Sequence, residues 1–325
     1  MSDRIRAMDR DGMLKALLSL KRPAVMPHRN PDGDAVGSAV ATVRFLRDRG
    51  IEAALLSPDG IPRRLAFLAE GIPLFEGTPQ EIVTVDVASL GQAGSAGPLI
   101  EAADTVYMID HHAMSTPFAP HYIRPEASAV GEVLYDLFTE GGLSLTAEIA
   151  APLYAAIASD TGNFRFRNVK PDTLRKAADL LEYGIDSAEI SRRLFDIRTA
   201  AELSAMAYAI VATRSFYGGR LSVLPISRES LREAECAESD FDAVIDTLRV
   251  REGVEVAAVI RERSDGTVRL SLRTMGADAA SLCALFGGGG HRVAAGCTLP
   301  VKTAEEGLSL LLAHADSLFE KNAEK

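Results

Sequence analysis

The segment His28-Arg29-Asn30-Pro31-Asp32-Gly33-Asp34-Ala35-Val36-Gly37-Ser38 sets an imidazole and two carboxylates at spacings of four and two. They stand where a short apolar run gives way to a helical pattern. Pro31 and Gly33 shape a tight turn able to aim both carboxylates at one place. Read alone, the segment is also a polar turn whose aspartate caps a helix. Other runs repeat the theme. Asp86 ends the apolar EIVTVDV, and Asp110-His111-His112 ends TVYMI. Asp160 ends the helical AAPLYAAIAS before a Thr161-Gly162 turn. In an open parallel sheet, ligands bind beyond the carboxyl ends of the strands. Three separate runs deliver Asp or His to that edge, a recurrence that capping does not explain.

Four clustered carboxylates, Asp32, Asp34, Asp86 and Asp160, repel one another and cannot all ionise at neutral pH unaided. Two divalent cations bring matching positive charge. Mixed imidazole and carboxylate donors suit Mn²⁺, Fe²⁺, Co²⁺ or Zn²⁺ better than Ca²⁺, and Mg²⁺ usually keeps more water. Two such ions about 3.5–4 Å apart can share a bridging hydroxide and clamp both the attacking and leaving oxygens of a phosphoryl transfer. Hydrolysis of a phosphoester or phosphoanhydride is the chemistry expected. A second anion device is Gly287-Gly288-Gly289-Gly290-His291-Arg292. Its glycines let backbone N–H groups approach an anion closely, and His291 and Arg292 add charge or donors. No GK[ST] follows, so it is not a P-loop. Arg273, ending VRLSLR, could clamp a phosphate in bidentate fashion. Taken singly, a glycine run also suits a flexible loop, and a strand arginine a solvated face.

These residues need elements to hold them. Short apolar runs at Pro23–Pro27, Glu52–Ser57, Glu81–Val87 and Thr105–Ile109 read as strands. Ala35–Arg49 (with Gly50 as C-cap), Ser128–Thr139, Thr146–Ala158 and Pro171–Tyr183 read as helices. Ser38 reads as a cap of the first helix. Alternation of strand and helix argues for a parallel sheet covered on both faces, a Rossmann-like α/β domain. Ser187–Thr213 reads as nearly continuous helix. Beyond it come a strand at Arg220–Ile226, a hairpin of Glu255–Arg261 and Thr267–Arg273 around Ser264-Asp265-Gly266, and a helix at Ala277–Phe286. A short strand at Cys297–Val301 and a terminal helix follow, which makes a smaller α/β domain with a mixed sheet. The domains expected are 1–186, a helical linker 187–213, and 214–325. The tail EKNAEK reads as a fraying end.

Composition narrows the function. At 325 residues, with 47% hydrophobic and 25% charged, the chain suits two globular domains. Its net charge of −10 and pI near 5.2 do not suit a track for long nucleic acid, which needs a basic groove along many phosphates. No apolar run reaches the roughly 18 residues of a membrane span. The N-terminal MSDRIRAMDRDGM lacks the apolar core of a signal peptide. Cys236, Cys283 and Cys297 form no CxxC pair and read as buried thiols in a reduced cytoplasm.

At the motifs just described, the chain resembles the DHH phosphoesterase family, named for the triplet that stands here at Asp110-His111-His112. HRNPDGDAVGS resembles the first family motif, VTVDVAS with Asp86 the second, IDHH the third, and SDTGNFRF (Ser159–Phe166) the fourth. SLRTMG (Ser271–Gly276) and GGGGHRVAAG (Gly287–Gly296) resemble the signature of the DHH-associated C-terminal domain. The match runs nearly the whole length. The resemblance implies that His28, Asp32 and Asp86 hold one metal, and Asp34, Asp86, His111 and Asp160 the other, with Asp86 bridging and Mn²⁺ the usual ion. It implies that His112 faces the scissile phosphate as donor or general acid, while Asp110 orients a histidine. Arg273, Gly288, Gly289, Gly290, His291 and Arg292 would grip the far end of the substrate across an interdomain cleft. Gln92 stands where the family often has arginine, and Ser128-Ala129-Val130 where it often has a run of small hydroxyl residues.

Within the family, the two-domain cytoplasmic form is most similar to the nano-RNase (oligoribonuclease) and 3′-phosphoadenosine 5′-phosphate (pAp) phosphatase group. That implies a hydrolase of phosphate ester bonds acting on short RNA, pAp or a linear dinucleotide, with a homodimer left open. Close relatives cleave cyclic di-AMP or pApA, which is the alternative substrate reading. A long-strand exonuclease is disfavoured by length and charge, and tRNA or alanyl-editing-like binding through the C-terminal domain is a minor alternative. A family II pyrophosphatase is disfavoured by the GGGGH segment. A non-catalytic nucleotide-binding protein is disfavoured because all six ligand positions are filled. His121 and His314 read as surface or structural histidines. Asn163, Arg165 and Arg167 read either as cleft lining or as loop packing.

Overall fold

The computed structural model describes residues 5–139, 143–234, 236–241 and 244–319. Two compact units divide it, Met1–Ile197 and Arg198–Lys325. The first runs α1 (Arg10–Leu18), β1 (Ala24–Met26), α2 (Gly33–Arg47), β2 (Ala54–Leu55), β3 (Glu81–Val85), α3 (Gly97–Ala102), β4 (Thr105–Asp110) and β5 (His121–Ile123). Then come α4 (Val130–Thr139), α5 (Ala147–Asp160), α6 (Pro171–Glu182) and α7 (Ser187–Ser191). Its five strands lie in the order β2-β1-β3-β4-β5, and every pairing is parallel. The strands are short and apolar, as strands covered on both faces should be. Residues 24–26 of β1 are all fully buried.

The helix that opens the site, α2, is itself core. Of its 15 residues, 13 are buried, so it is sheathed on all sides rather than amphipathic. Its cap is Asp32, whose Oδ1 accepts from Ala35 N at 3.0 Å. Ser38 lies inside the helix and donates to Asp34 Oδ1 at 2.9 Å, so its reading as a cap is corrected. Helix α2 packs closely on α5 through glycines. A Cβ on Gly37 would sit 2.6 Å from the Pro152 carbonyl oxygen, and one on Gly33 would sit 2.5 Å from Ser159 Oγ. The second contact draws the start of α2 against the end of α5, and so Asp34 toward Asp160. Phe45 and Phe138 stack at 3.7 Å between centroids in the same core.

The second unit contains α8 (Ala200–Ala212), β6 (Arg214–Phe216), β7 (Leu221–Ile226), α9 (Arg228–Glu233), α10 (Val244–Arg249), β8 (Val256–Glu262) and β9 (Val268–Thr274). It ends with α11 (Ala279–Ala284), β10 (Gly289–His291), β11 (Ala294–Leu299) and α12 (Ala304–His314). Its six-stranded sheet, β10-β11-β9-β8-β7-β6, is mixed, with β7 and β8 parallel and the other pairs antiparallel. The expected hairpin is β8–β9, turned at Gly266 with φ 84°.

Several boundaries differ from expectation. The Glu52–Ser57 run pairs only at Ala54–Leu55, on the sheet edge. Helix α1 and strand β5 carry too short an apolar pattern to stand out. The single helix expected over Ser187–Thr213 is broken. A π turn over Arg192–Asp196 follows α7, Ile197 is extended, and α8 starts afresh. The physical reason is a capping box: Thr199 Oγ1 accepts from Glu202 N, and Glu202 accepts from Thr199 N. The glycine run is partly strand, and β11 begins at Ala294 rather than Cys297. Gly288 and Gly290 let the two backbones meet. A Cβ there would lie 2.3 Å from Cys297 Cβ and 2.5 Å from the Ala294 carbonyl oxygen, respectively. All three cysteines are free thiols; Cys283 and Cys297 are buried, and Cys236 is half-buried. The polar tail at 320–325 lies outside the described residues.

Candidate metal centre

The carboxyl edge of the parallel sheet gathers the chemistry. His28 follows β1, Asp86 follows β3, and β4 ends in Asp110 with His111 and His112 directly after. The start of α2 brings Asp32 and Asp34, and the last residue of α5 is Asp160. Three groups of potential ligand atoms result, each within 4.8 Å: His28, Asp32 and Asp86; Asp34, His111 and Asp160; Asp86, His111 and His112. Asp86 and His111 each belong to two groups, so all seven residues form one centre.

The histidines are aimed by partners on Nδ1. His111 Nδ1 lies 3.2 Å from the Ala127 carbonyl oxygen, and His28 Nδ1 lies 2.8 Å from that of Arg29. Each turns Nε2 inward, the usual way a ligand imidazole is oriented. His111 Nε2 stands 3.3 Å from Asp160, 3.8 Å from Asp86 and 3.9 Å from Asp34. His28 Nε2 stands 3.7 Å from Asp86 and 3.9 Å from Asp32. His112 differs: its Nδ1 is 2.8 Å from Asp110 Oδ1, and Asp110 Oδ2 also accepts from Ser115 Oγ.

The electrostatics set these carboxylates apart. Burial and the nearby Asp160 push Asp34 up to about 8. Burial and the charges of Asp34, Asp32, Asp160 and Asp110 push Asp86 well above the carboxylate range. Burial pulls His111 down, but hydrogen bonding to Asp160 and the charges of Asp34 and Asp160 outweigh it and lift the imidazole to about 9. Burial acts upward on Asp110 too, yet the hydrogen bonds from His112 and Ser115 hold it below its ordinary value. Asp86 also sits at φ 60°, a strained angle for a side-chain-bearing residue. Its Oδ1 is buried and receives no hydrogen bond from the described residues. An orphaned, buried carboxylate oxygen ringed by carboxylates and inward-facing imidazoles is a donor set suited to divalent cations.

Sequence patterns did not reveal the backbone groups that hold this centre. Asp34 accepts from Val130 N at 2.7 Å and Gly131 N at 3.0 Å, at the start of α4. Ser115 and Asn168 also went unread, because their roles depend on chain segments remote from the motifs. Gln92 is structural here: its Oε1 accepts from Ala88 N at 2.7 Å. Two side chains of the fourth motif make local contacts: Arg165 Nε donates to the Gly162 carbonyl, and Asn163 Oδ1 accepts from Ser191 Oγ. His121 Nδ1 faces the Ala119 carbonyl, and the His314 ring packs against Phe286.

In the second unit the sheet register lines up His291, Ala294 and Arg273 on adjacent strands. Arg273 is half-buried and Arg292 is exposed, while Gly288, Gly289 and Gly290 supply bare backbone beside them. The His291 side chain lies outside the described residues.

Comparison with known proteins agrees with this arrangement. Residues 23–157 match the DHH family, N-terminal domain, and residues 223–321 match the DHHA1 domain. A bifunctional oligoribonuclease and PAP phosphatase, NrnA, of Thermus thermophilus is 36% identical over 85% of this chain and 83% of its own length. A cyclic-di-AMP phosphodiesterase, PdeA, of Listeria monocytogenes is 27% identical over 91% of this chain but only 47% of its own. An exopolyphosphatase-related protein from Bacteroides fragilis shares the fold, with a TM-score of 0.87 at 22% identity over 95% of both chains. With both domains matched and a relative this similar along most of its length, the chain belongs to the DHH family and is a hydrolase acting on phosphate ester bonds.

Proposed function

We propose that this protein is a two-metal phosphodiesterase and phosphatase acting on short oligoribonucleotides and pAp. The observation that carries the reading is the buried Asp86 carboxylate, shared by two of the three ligand groups and left with an orphaned Oδ1. DHH family enzymes depend on divalent metal ions. The first position is assigned to His28, Asp32 and Asp86, and the second to Asp34, Asp86, His111 and Asp160, with Mn²⁺ favoured by the mixed donor set. Bound there, the cations would offset the carboxylate charge and polarise the scissile phosphate.

The remaining work falls to side chains. Asp110 holds His112 Nδ1, which fixes the ring and makes Nε2 the nitrogen that hands a proton to the leaving oxygen. In the second unit, Arg273, Arg292, His291 and the N–H groups of Gly288, Gly289 and Gly290 form a patch suited to a phosphate or base. The substrate class is supported by the likeness to the Thermus oligoribonuclease and PAP phosphatase. The likeness to the Listeria phosphodiesterase supports cyclic di-AMP or pApA as the second reading. Among the described residues no helix is long and apolar enough to cross a membrane, and we assign the protein to the cytoplasm.

One competition assay tests this. Mn²⁺-loaded protein is given pAp, pApA, cyclic di-AMP, a five-residue RNA and a long single strand together. Consumption of pAp and the short RNA, sparing the long strand, is expected. Preference for pApA or cyclic di-AMP would move the protein to dinucleotide turnover. No turnover of any would overturn the substrate class.

A further inference from the structure

One stretch of backbone is tied to three site residues, two directly and one through a side chain. The segment Ala127–Gly131 receives His111 through the Ala127 carbonyl and holds both oxygens of Asp34 through the N–H groups of Val130 and Gly131. The third link is a side chain. Asn168 Nδ2 donates to the Ser128 carbonyl at 3.2 Å and to the Asp160 carbonyl at 3.0 Å. The bridge is reciprocal, because the buried Ser128 Oγ donates back to the Asn168 carbonyl at 2.6 Å. Asp34, His111 and Asp160 are together one of the ligand groups gathered within 4.8 Å.

The other group is supported elsewhere. His28 leans on its neighbour Arg29, Asp32 on Ala35 N, and Asp86 N donates to the Ile109 carbonyl. Among the described residues, no hydrogen bond ties these three to Ala127–Gly131 or Asn168.

Asp160 ends α5, so its carbonyl has no partner within the helix and must find one outside. Asn168 reaches it only because the chain doubles back through three consecutive left-handed residues, Gly162, Asn163 and Phe164, at φ 56°, 58° and 61°. Such a turn is strained at the two non-glycine positions and persists only where the surroundings hold it. The clamp sits at its far end.

We propose, on the two-metal reading above, that Asn168 is a positioning residue for one metal alone: it sets the spacing between Asp160 and the start of α4, and so builds the Asp34–His111–Asp160 position without acting on His28–Asp32–Asp86. Ligand groups must be held to about 0.5 Å, and hydrogen-bonded partners of ligands are worth about 10–100-fold in metal affinity. Asn168 acts through backbone, so the lower end applies.

The test is Mn²⁺ titration calorimetry and metal counting on the full chain, stripped with EDTA, as wild type, Asn168→Ala, Asn168→Asp and Ser128→Ala. Wild type should bind two ions. Asn168→Ala should weaken one of them about tenfold, or about 1.4 kcal/mol, leave the other unchanged, and retain one ion after desalting. Asn168→Asp, which sets an oxygen against two carbonyls, should lose more on the same position. Ser128→Ala keeps the amide but loosens its backbone and should show the same one-sided loss at smaller size, which provides the readout should Asn168→Ala not fold. Two unchanged affinities in the variants, or two affinities that fall together, would overturn the assignment. Fewer than two ions on the wild type would instead take down the two-metal reading itself.

Discussion

Asp86→Asn separates what the carboxylate does for metal from what it does to the fold. Asparagine matches aspartate in shape and tolerates φ 60° better than alanine, so the change isolates charge. Without metal, Asp86 is buried among Asp32, Asp34, Asp110 and Asp160 and is pushed well above its ordinary value of 3.8. Crowding that carboxyl among four others costs the metal-free fold stability. An uncompensated buried charge costs on the order of 3–5 kcal/mol. The variant escapes this cost, and burying its amide N–H groups takes back about 1–2 kcal/mol. Urea unfolding of EDTA-treated protein should therefore find the variant about 2–3 kcal/mol more stable at pH 7. The sign is set by the raised pKa: as pH rises wild type loses stability through Asp86 in addition to the loss through Asp34 and His111 that both proteins share, so the gain grows with pH and fades as pH falls toward about 4. With Mn²⁺ the order reverses, because only wild type is stabilised, and hydrolysis by the variant should fall about 10³-fold or more. A variant less stable than wild type without metal at pH 7, or one that keeps Mn²⁺-dependent turnover, would refute the reasoning.

His112→Gln should lower kcat about 10²–10⁴-fold with metal content unchanged, and metal loss in that variant would make His112 a ligand rather than a proton donor. Arg273→Ala should raise KM about tenfold, the loss of roughly one charge-assisted contact, while two ions stay bound; lost metal would show that the second unit's residues are misassigned. In the metal-free protein Asp34 is raised from 3.8 to about 8 and His111 from 6.5 to about 9. The folded chain then holds protons that the unfolded chain has released, from about pH 4 to 8 and from about pH 6.5 to 9. Melting temperature with EDTA should fall as pH rises through that span, and a rise would contradict the assignment.

The residues of the centre were legible before any fold was known, because their types and places carry the signal. His28, Asp86 and the triplet Asp110-His111-His112 each stand at the end of an apolar strand, and parallel strands share one carboxyl edge. Apolar runs bounded by turn and cap residues likewise revealed α2, α5 and the β8–β9 hairpin. Weak or divided signals failed. The joint at Ile197–Thr199 vanished inside a run that reads as helix on both sides, although Thr199 and Glu202 spelled a capping box. Strand β5 is three residues long, and its pairing comes from β4.

The sequence by itself determined the chemical inventory, the two-unit plan and the edge at which the candidate ligands gather, since all of these follow from residue type, alternation and chain order. The tertiary structure alone decided how each candidate ligand is held. Asp34 rests on the N–H groups of Val130 and Gly131, and Asn168 ties Asp160 to Ser128. Backbone N–H and carbonyl groups are the same at every residue, so no pattern of side chains announces which of them will face a carboxylate some 96 residues away.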